Sequence, residues 1–164
     1  MWERLSKIGG KLLVQTLKLV EEGKVERKKQ GDNFTRAPIL SKEMANINWE
    51  NQTAEQIKNL VRGLNPIIGA YSFLNGKKVK FWKVKVLSEE ELLTQFKELL
   101  EYKYKLQDIQ SGTIMFAEPK KGLFIKANEG ILKVLEIQAE NSKRMSIEEF
   151  LRGNSLQAGS IFEN

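Results

Sequence analysis

The stretch AYSFLNGKKVKFWKVKV, Ala70 to Val86, decides how the rest of the chain folds. Asn75-Gly76 stands between two runs rich in aromatic and β-branched residues, and this pair readily supplies the two positive-φ positions of a tight hairpin turn. The stretch therefore predicts a hairpin, with strands over Ala70–Leu74 and Lys77–Val86. In the second strand the apolar residues are Val79, Phe81, Trp82, Val84 and Val86, so the alternation changes phase at Phe81-Trp82. A one-residue bulge there restores it. Val79, Phe81, Val84 and Val86 then face inward, and Lys78, Lys80, Lys83 and Lys85 form a row on the outer face. Trp82 is expected to fill the core.

Outward from the hairpin, short elements follow on both sides. Upstream, Thr53 and Gln56 make a capping-box pattern ahead of an apolar helical face of Ile57, Leu60, Val61 and Leu64, which stops before Pro66. Downstream, strands are predicted at Gly112–Ala117, Leu123–Ala127 and Ile131–Gln138, the last two joined through Asn128-Glu129-Gly130. A second slip of alternation at Val134-Leu135 turns Lys133, Glu136 and Gln138 outward. Ser146 with Glu149 caps a final helix, Ile147 to about Arg152, ahead of Gly153. Bulged, coiled short strands are what small barrels use to close. The fold class read from residues 46–164 is thus mainly β with short helices (α+β), a small five- to six-stranded OB-like barrel.

Before this domain the pattern differs. In residues 1–22, Leu5, Ile8, Leu12, Leu13, Leu19 and Val20 recur at helical spacing, which predicts an isolated amphipathic helix in need of a partner surface. Residues 23–45 lose periodicity, hold an excess of Lys and Arg, and read as a basic linker, either a solubilising tether or an arm that touches phosphates. Within the barrel, residues 88–110 carry Leu92, Phe96, Leu99 and Leu100 at helical spacing and predict a helical insertion.

Composition narrows the function classes. The chain has 164 residues, a formal net charge of +6, no cysteine and no histidine. Disulfides, thiolate or imidazole metal sites and histidine-based catalysis are all excluded, so no catalytic residue and no metal ligand is expected in this chain. A sequence pI near 9.4 points to a polyanionic partner. No apolar run approaches the length of a membrane span and no signal peptide is apparent, so a cytoplasmic protein is expected.

The residues also resemble a known family. Arg62-Gly63-Leu64-Asn65-Pro66 with Gly69-Ala70-Tyr71, and Lys143-Arg144-Met145-Ser146 with Phe150-Leu151-Arg152-Gly153, are similar, in order and almost without gaps from Ala37 to Phe162, to the C-terminal domain of methionyl-tRNA formyltransferases. The 88–110 insertion departs from that pattern. The resemblance implies the tRNA-binding portion of a two-domain transferase that formylates the amino group of methionyl-initiator-tRNA in translation initiation. Formyl-tetrahydrofolate would be the donor of the full enzyme, bound outside this chain. It implies further that helix 1–22 is the last helix of an N-terminal catalytic domain, that this domain and the tRNA are the partners, and that the chain alone is inactive.

Under this resemblance the candidate RNA-binding residues are Arg36 and Lys42 on the linker side, Lys77, Lys78, Lys80, Lys83 and Lys85 on the long strand, and Lys143 and Arg144. Arg62 lies in a family motif but suits a structural role equally. Lysines two apart on a strand lie about 6.6–7 Å from each other, comparable with successive phosphates on one RNA strand. The row also fits a merely solubilised edge strand. Trp82, if extruded at the bulge, would stack on a base. A free-standing nucleic-acid-binding barrel, or the equivalent domain of another formyltransferase, remain the alternatives.

Overall fold

A computed structural model of the chain describes residues 2–26, 28–88, 90–92 and 109–164. It divides into two compact units, Met1–Ile39 and Leu40–Asn164.

The first unit is built on α1, Trp2–Glu21, whose side chains are all exposed, the stripe of Leu5, Ile8, Leu12 and Leu19 included. Its end follows from Gly23, at φ +68°. That left-handed residue lets Gly23 N–H donate to Val20 O at 3.1 Å and Lys24 N–H to Leu19 O at 2.9 Å, which satisfies two terminal carbonyls. Beyond this cap the described residues up to Leu40 form no regular element.

The second unit is a curled antiparallel sheet with short helices. After a 3₁₀ turn at Glu43–Ala45 comes α2, Ala54–Leu64, opened by the reciprocal Thr53–Gln56 cap that the sequence predicts. The strands are β1 (Ala70–Leu74), β2 (Lys77–Val86), β3 (Ile114–Glu118), β4 (Gly122–Lys126), β5 (Ile131–Ala139), β6 (Met145–Ser146) and β7 (Phe162–Glu163); α3, Ile147–Gly153, follows β6. Asn75 and Gly76 take φ +52° and +74°, as the hairpin requires. The sheet runs in the order β3-β4-β5-β2-β1-β7, with β6 on β5. The helix expected within 88–110 lies mostly outside the described residues; at its start Ser88 and Glu91 cap one another reciprocally.

Two elements were not legible as strands, β6 and β7, and β7 completes the barrel. It pairs with β1, while Ile114 N–H donates to Ser160 O and Phe162 N–H to Gly112 O, at 2.8 and 2.9 Å. Residues 159–163 therefore join the two edges of the sheet. The enclosed core is aromatic at this seam: Trp49, Phe81 and Phe162 lie 5.4–5.9 Å apart in mainly edge-on contacts. Trp49 Nε1–H donates to Ser72 Oγ at 2.9 Å, and Ser72 in turn donates to Glu163 O at 2.6 Å, so the buried hydroxyl is satisfied on both sides. Ala54, Ile57, Val61 and Leu64 pack α2 into the same core. Among the described residues one cation is buried: Lys126 donates to Asn128 O at 2.8 Å and to Ala127 O, tying down the β4–β5 turn, and burial pushes its pKa below the usual value against the pull of Glu129.

Candidate nucleic-acid interface

The outer face of β2 is set by two bulges that offset each other. Phe81 pairs with Ile137 and Lys83 with Glu136, which leaves Trp82 as the extra residue; Val84 then pairs with Val134, which leaves Leu135 extra on β5. Both slips occur where the broken alternation predicts them. As a result Lys78, Lys80, Lys83 and Lys85 share one face, while Val79, Phe81, Val84 and Val86 pack on the core. Lys77 is not part of this row. It pairs with the core-facing Leu74 and so projects from the opposite side of the sheet at the hairpin tip.

The row is less uniform in charge than the strand alone suggests. Lys78 places its Nζ 3.8 Å from the centre of the Tyr71 ring and 5.7 Å from Phe73. Lys80 donates to Ile68 O at 3.2 Å and lies 5.6 Å from the Trp82 ring. Lys85 is paired with Glu91. The Lys85 ammonium, and then the Ser88 amide, hold the Glu91 carboxyl below the usual carboxylate range. Lys83 is exposed and has no ion pair among the described residues. The acids that sequence proximity hides come from across the sheet and after it: Glu136 faces Lys83, and Glu140 accepts a long 3.4 Å bond from Lys78 N–H.

Arg144 arrives from the turn before β6. Its Nε donates to Glu136 at 2.6 Å, and its guanidinium stands 5.1 Å from the Trp82 ring, close enough for a cation–π contact. Lys143 beside it is exposed. Trp82 is buried, but outside the main core: its Nε1–H donates to Gln138 at 3.0 Å, its carbonyl accepts from Asn65 Nδ2 at 2.8 Å, and its ring closes over Gly69. The expected core-filling tryptophan thus seals the outer face, because the bulge removes it from the strand's alternation. Lys42 is exposed at the start of the 3₁₀ turn, four residues before Asn46 bridges to Tyr71. Arg36 is exposed in the first unit.

Beside the row lies a groove of about 490 Å³ that sequence reasoning did not find. Val61, Val84, Trp82 and Asn65 line it, and Lys58, Arg62, Lys83 and Arg144 rim it, with no carboxylate in the lining among the described residues. Its only advance signal was Arg62, one helical turn after Lys58 on α2. Among the described residues no cluster of acidic side chains could hold a metal ion, and none of their carboxylates is buried.

Fold and face together define a class: a small curled antiparallel domain whose outer surface sets cations over aromatic rings. The chain belongs to the family described as "Formyl transferase, C-terminal domain", whose model matches residues 39–155. It is 35% identical over 162 residues to the methionyl-tRNA formyltransferase of Caldanaerobacter subterraneus subsp. tengcongensis, covering 98% of this chain and 46% of that protein. It is 38% identical over 160 residues to the methionyl-tRNA formyltransferase of Carboxydothermus hydrogenoformans, covering 97% and 46%. The chain spans about half the length of these relatives. Among solved structures, an HypX variant from Aquifex aeolicus shares the fold, with a TM-score of 0.52 at 16% identity over 88% of this chain and 24% of that one. No helix among the described residues is long and apolar enough to cross a membrane.

Proposed function

We propose that this chain is the tRNA-holding portion of a methionyl-tRNA formyltransferase, which positions methionyl-initiator-tRNA in the cytoplasm for formylation in translation initiation. The observation that carries this reading is the gathering of Lys78, Lys80, Lys83, Lys85 and Arg144 on one sheet face, with Lys143 alongside. Such cations position a sugar-phosphate backbone without reading its sequence, and RNA helices are recognised mainly by shape, phosphates and 2′-hydroxyls. Basic residues 23–45, Arg36 and Lys42 among them, extend the contact as an arm. In the whole protein the apolar stripe of α1 packs on an N-terminal catalytic domain.

Formyl-tetrahydrofolate enters as the donor of the full enzyme. The residues of this chain do not fit the transfer chemistry. Moving a formyl group to an amine calls for a positioned proton acceptor, whereas this chain has no histidine and its described carboxylates are all solvent-facing or paired. No step of the reaction is assigned to it.

The test is a titration of the chain with tRNA across a salt series, together with a formylation assay. Binding whose log K falls linearly with log salt, at roughly −0.7 to −0.9 per phosphate engaged, and no turnover are expected. Absence of tRNA binding would return the chain to the equivalent domain of a formyltransferase with another substrate. Turnover by the chain alone would overturn its assignment as the non-catalytic portion.

A further inference from the structure

We propose that the groove between α2 and β2 receives one unpaired RNA nucleotide, with its base against Val61, Val84 and Trp82 and its phosphate between Arg62 and Lys83. This rests on the RNA-binding reading above and adds to it a site for a single splayed-out residue.

Four observations support it. The first is size: at about 490 Å³ the groove lies within the roughly 300–1,000 Å³ range of sites for small ligands. The second is the division of its lining. The Trp82 indole N–H is already bonded to Gln138, so the small exposed part of the ring shows the groove carbon, as does the half-buried Val84 beside the buried Val61. Such a floor accepts the face of any base and reads none of its edges.

The third is charge. Of the four cations on the rim, Lys58 is paired with Glu55 at 2.6 Å and Arg144 with Glu136. Arg62 and Lys83, one on the helix and one on the strand, have no ion pair among the described residues. Two cations outside any ion pair among the described residues, beside an apolar floor, fit a group that is anionic at one end and flat and apolar at the other. The fourth is continuity, because Lys83 belongs both to the rim and to the lysine row. A backbone held along the row passes the mouth of the groove. In a paired stem the bases are stacked inside the helix and cannot enter, whereas an unpaired nucleotide can turn outward without breaking a pair.

The experiment compares two RNA hairpins of equal length and charge, one with a fully paired stem and one with a single unpaired nucleotide in the stem, against the full 164-residue chain. The hairpin with the unpaired nucleotide is expected to bind roughly tenfold tighter, the scale of one base–aromatic stack. Val84→Phe, which fills the groove without altering charge, should abolish the preference and keep the affinity for the paired hairpin. Arg62→Gln is an exposed change that spares the fold, and it should shrink the preference several-fold even if the Phe variant misfolds. Equal binding of the two hairpins by the unaltered chain overturns the proposal, and so does a preference that survives both substitutions. Failure to bind either hairpin overturns the RNA-binding reading as well, a result distinct from binding both equally.

Discussion

Lys83 and Lys85 stand two residues apart on the same face of β2, and replacing each by Gln should nevertheless give different results. Lys83 has no ion pair among the described residues, whereas Lys85 is held by Glu91, which competes with any phosphate for its ammonium. If the face tracks a phosphate backbone, losing Lys83 removes one counterion-releasing contact. The slope of log K for tRNA against log salt should flatten by about 0.7 to 0.9. Between about 50 and 200 mM salt, that amounts to roughly a threefold smaller fall in affinity. Lys85→Gln should change the slope by much less than this. Glu91→Gln should free Lys85 and steepen the slope by up to about the same 0.7 to 0.9, and in that background Lys85→Gln should then cost a full contact. Fluorescence anisotropy with labelled tRNA, over the salt series and for all four variants, reads every arm. If Lys83→Gln and Lys85→Gln flatten the slope equally, only net charge matters and the track is refuted; an unchanged slope in Glu91→Gln refutes it as well.

Three further outcomes concern the scaffold. Gly69→Ala would put a Cβ 2.8 Å from the Trp82 ring at a residue with φ +73°, so urea unfolding should show a loss of at least about 1–2 kcal/mol, the usual cost of the left-handed conformation alone. Ser72→Ala strands the Trp49 indole N–H and the Glu163 carbonyl, and should cost about 1–3 kcal/mol; in a Trp49→Phe background the same change should cost less, a coupling that a double-mutant cycle measures. Hydrogen bonds from the Ser146 backbone and then its side chain hold Glu149 below the usual carboxylate range. Its contribution is therefore full above the unfolded value of about 4.3 and is lost as pH falls through the lower folded value. Glu149→Gln keeps an acceptor for the cap, so stability should be nearly unchanged at pH 7 while the acid-induced loss becomes shallower in urea melts run down to pH 3.

What could be read from the sequence was what local chemistry determines. Asn75-Gly76 fixed the hairpin, Thr53–Gln56 and Ser146–Glu149 fixed two helix starts, and the broken alternation at Trp82 and Leu135 located both bulges. What could not be read depends on partners distant along the chain. Phe162-Glu163 is too short to show a period and becomes a strand only because β1 offers it an edge. The lysine row looked unopposed because its carboxylates, Glu91, Glu136 and Glu140, come from other segments. Lys77 is a candidate RNA contact by its place on the long strand, although the period of two puts it on the side opposite the row. The groove also required both α2 and β2, so neither segment announced it.

The seam closed by residues 159–163 has a kinetic consequence. Ser72 meets Glu163 across 91 positions and Trp49 meets Asn164 across 115, so these contacts reward the chain only after long loops have been closed. Domains rich in such distant pairings fold slowly. Until the seam forms, β1 presents an unpaired edge and the Phe81 and Trp49 rings lack their cover, a state open to pairing with a neighbouring molecule. The refolding yield of this domain should therefore fall steeply with protein concentration, even though the finished ring leaves little edge exposed.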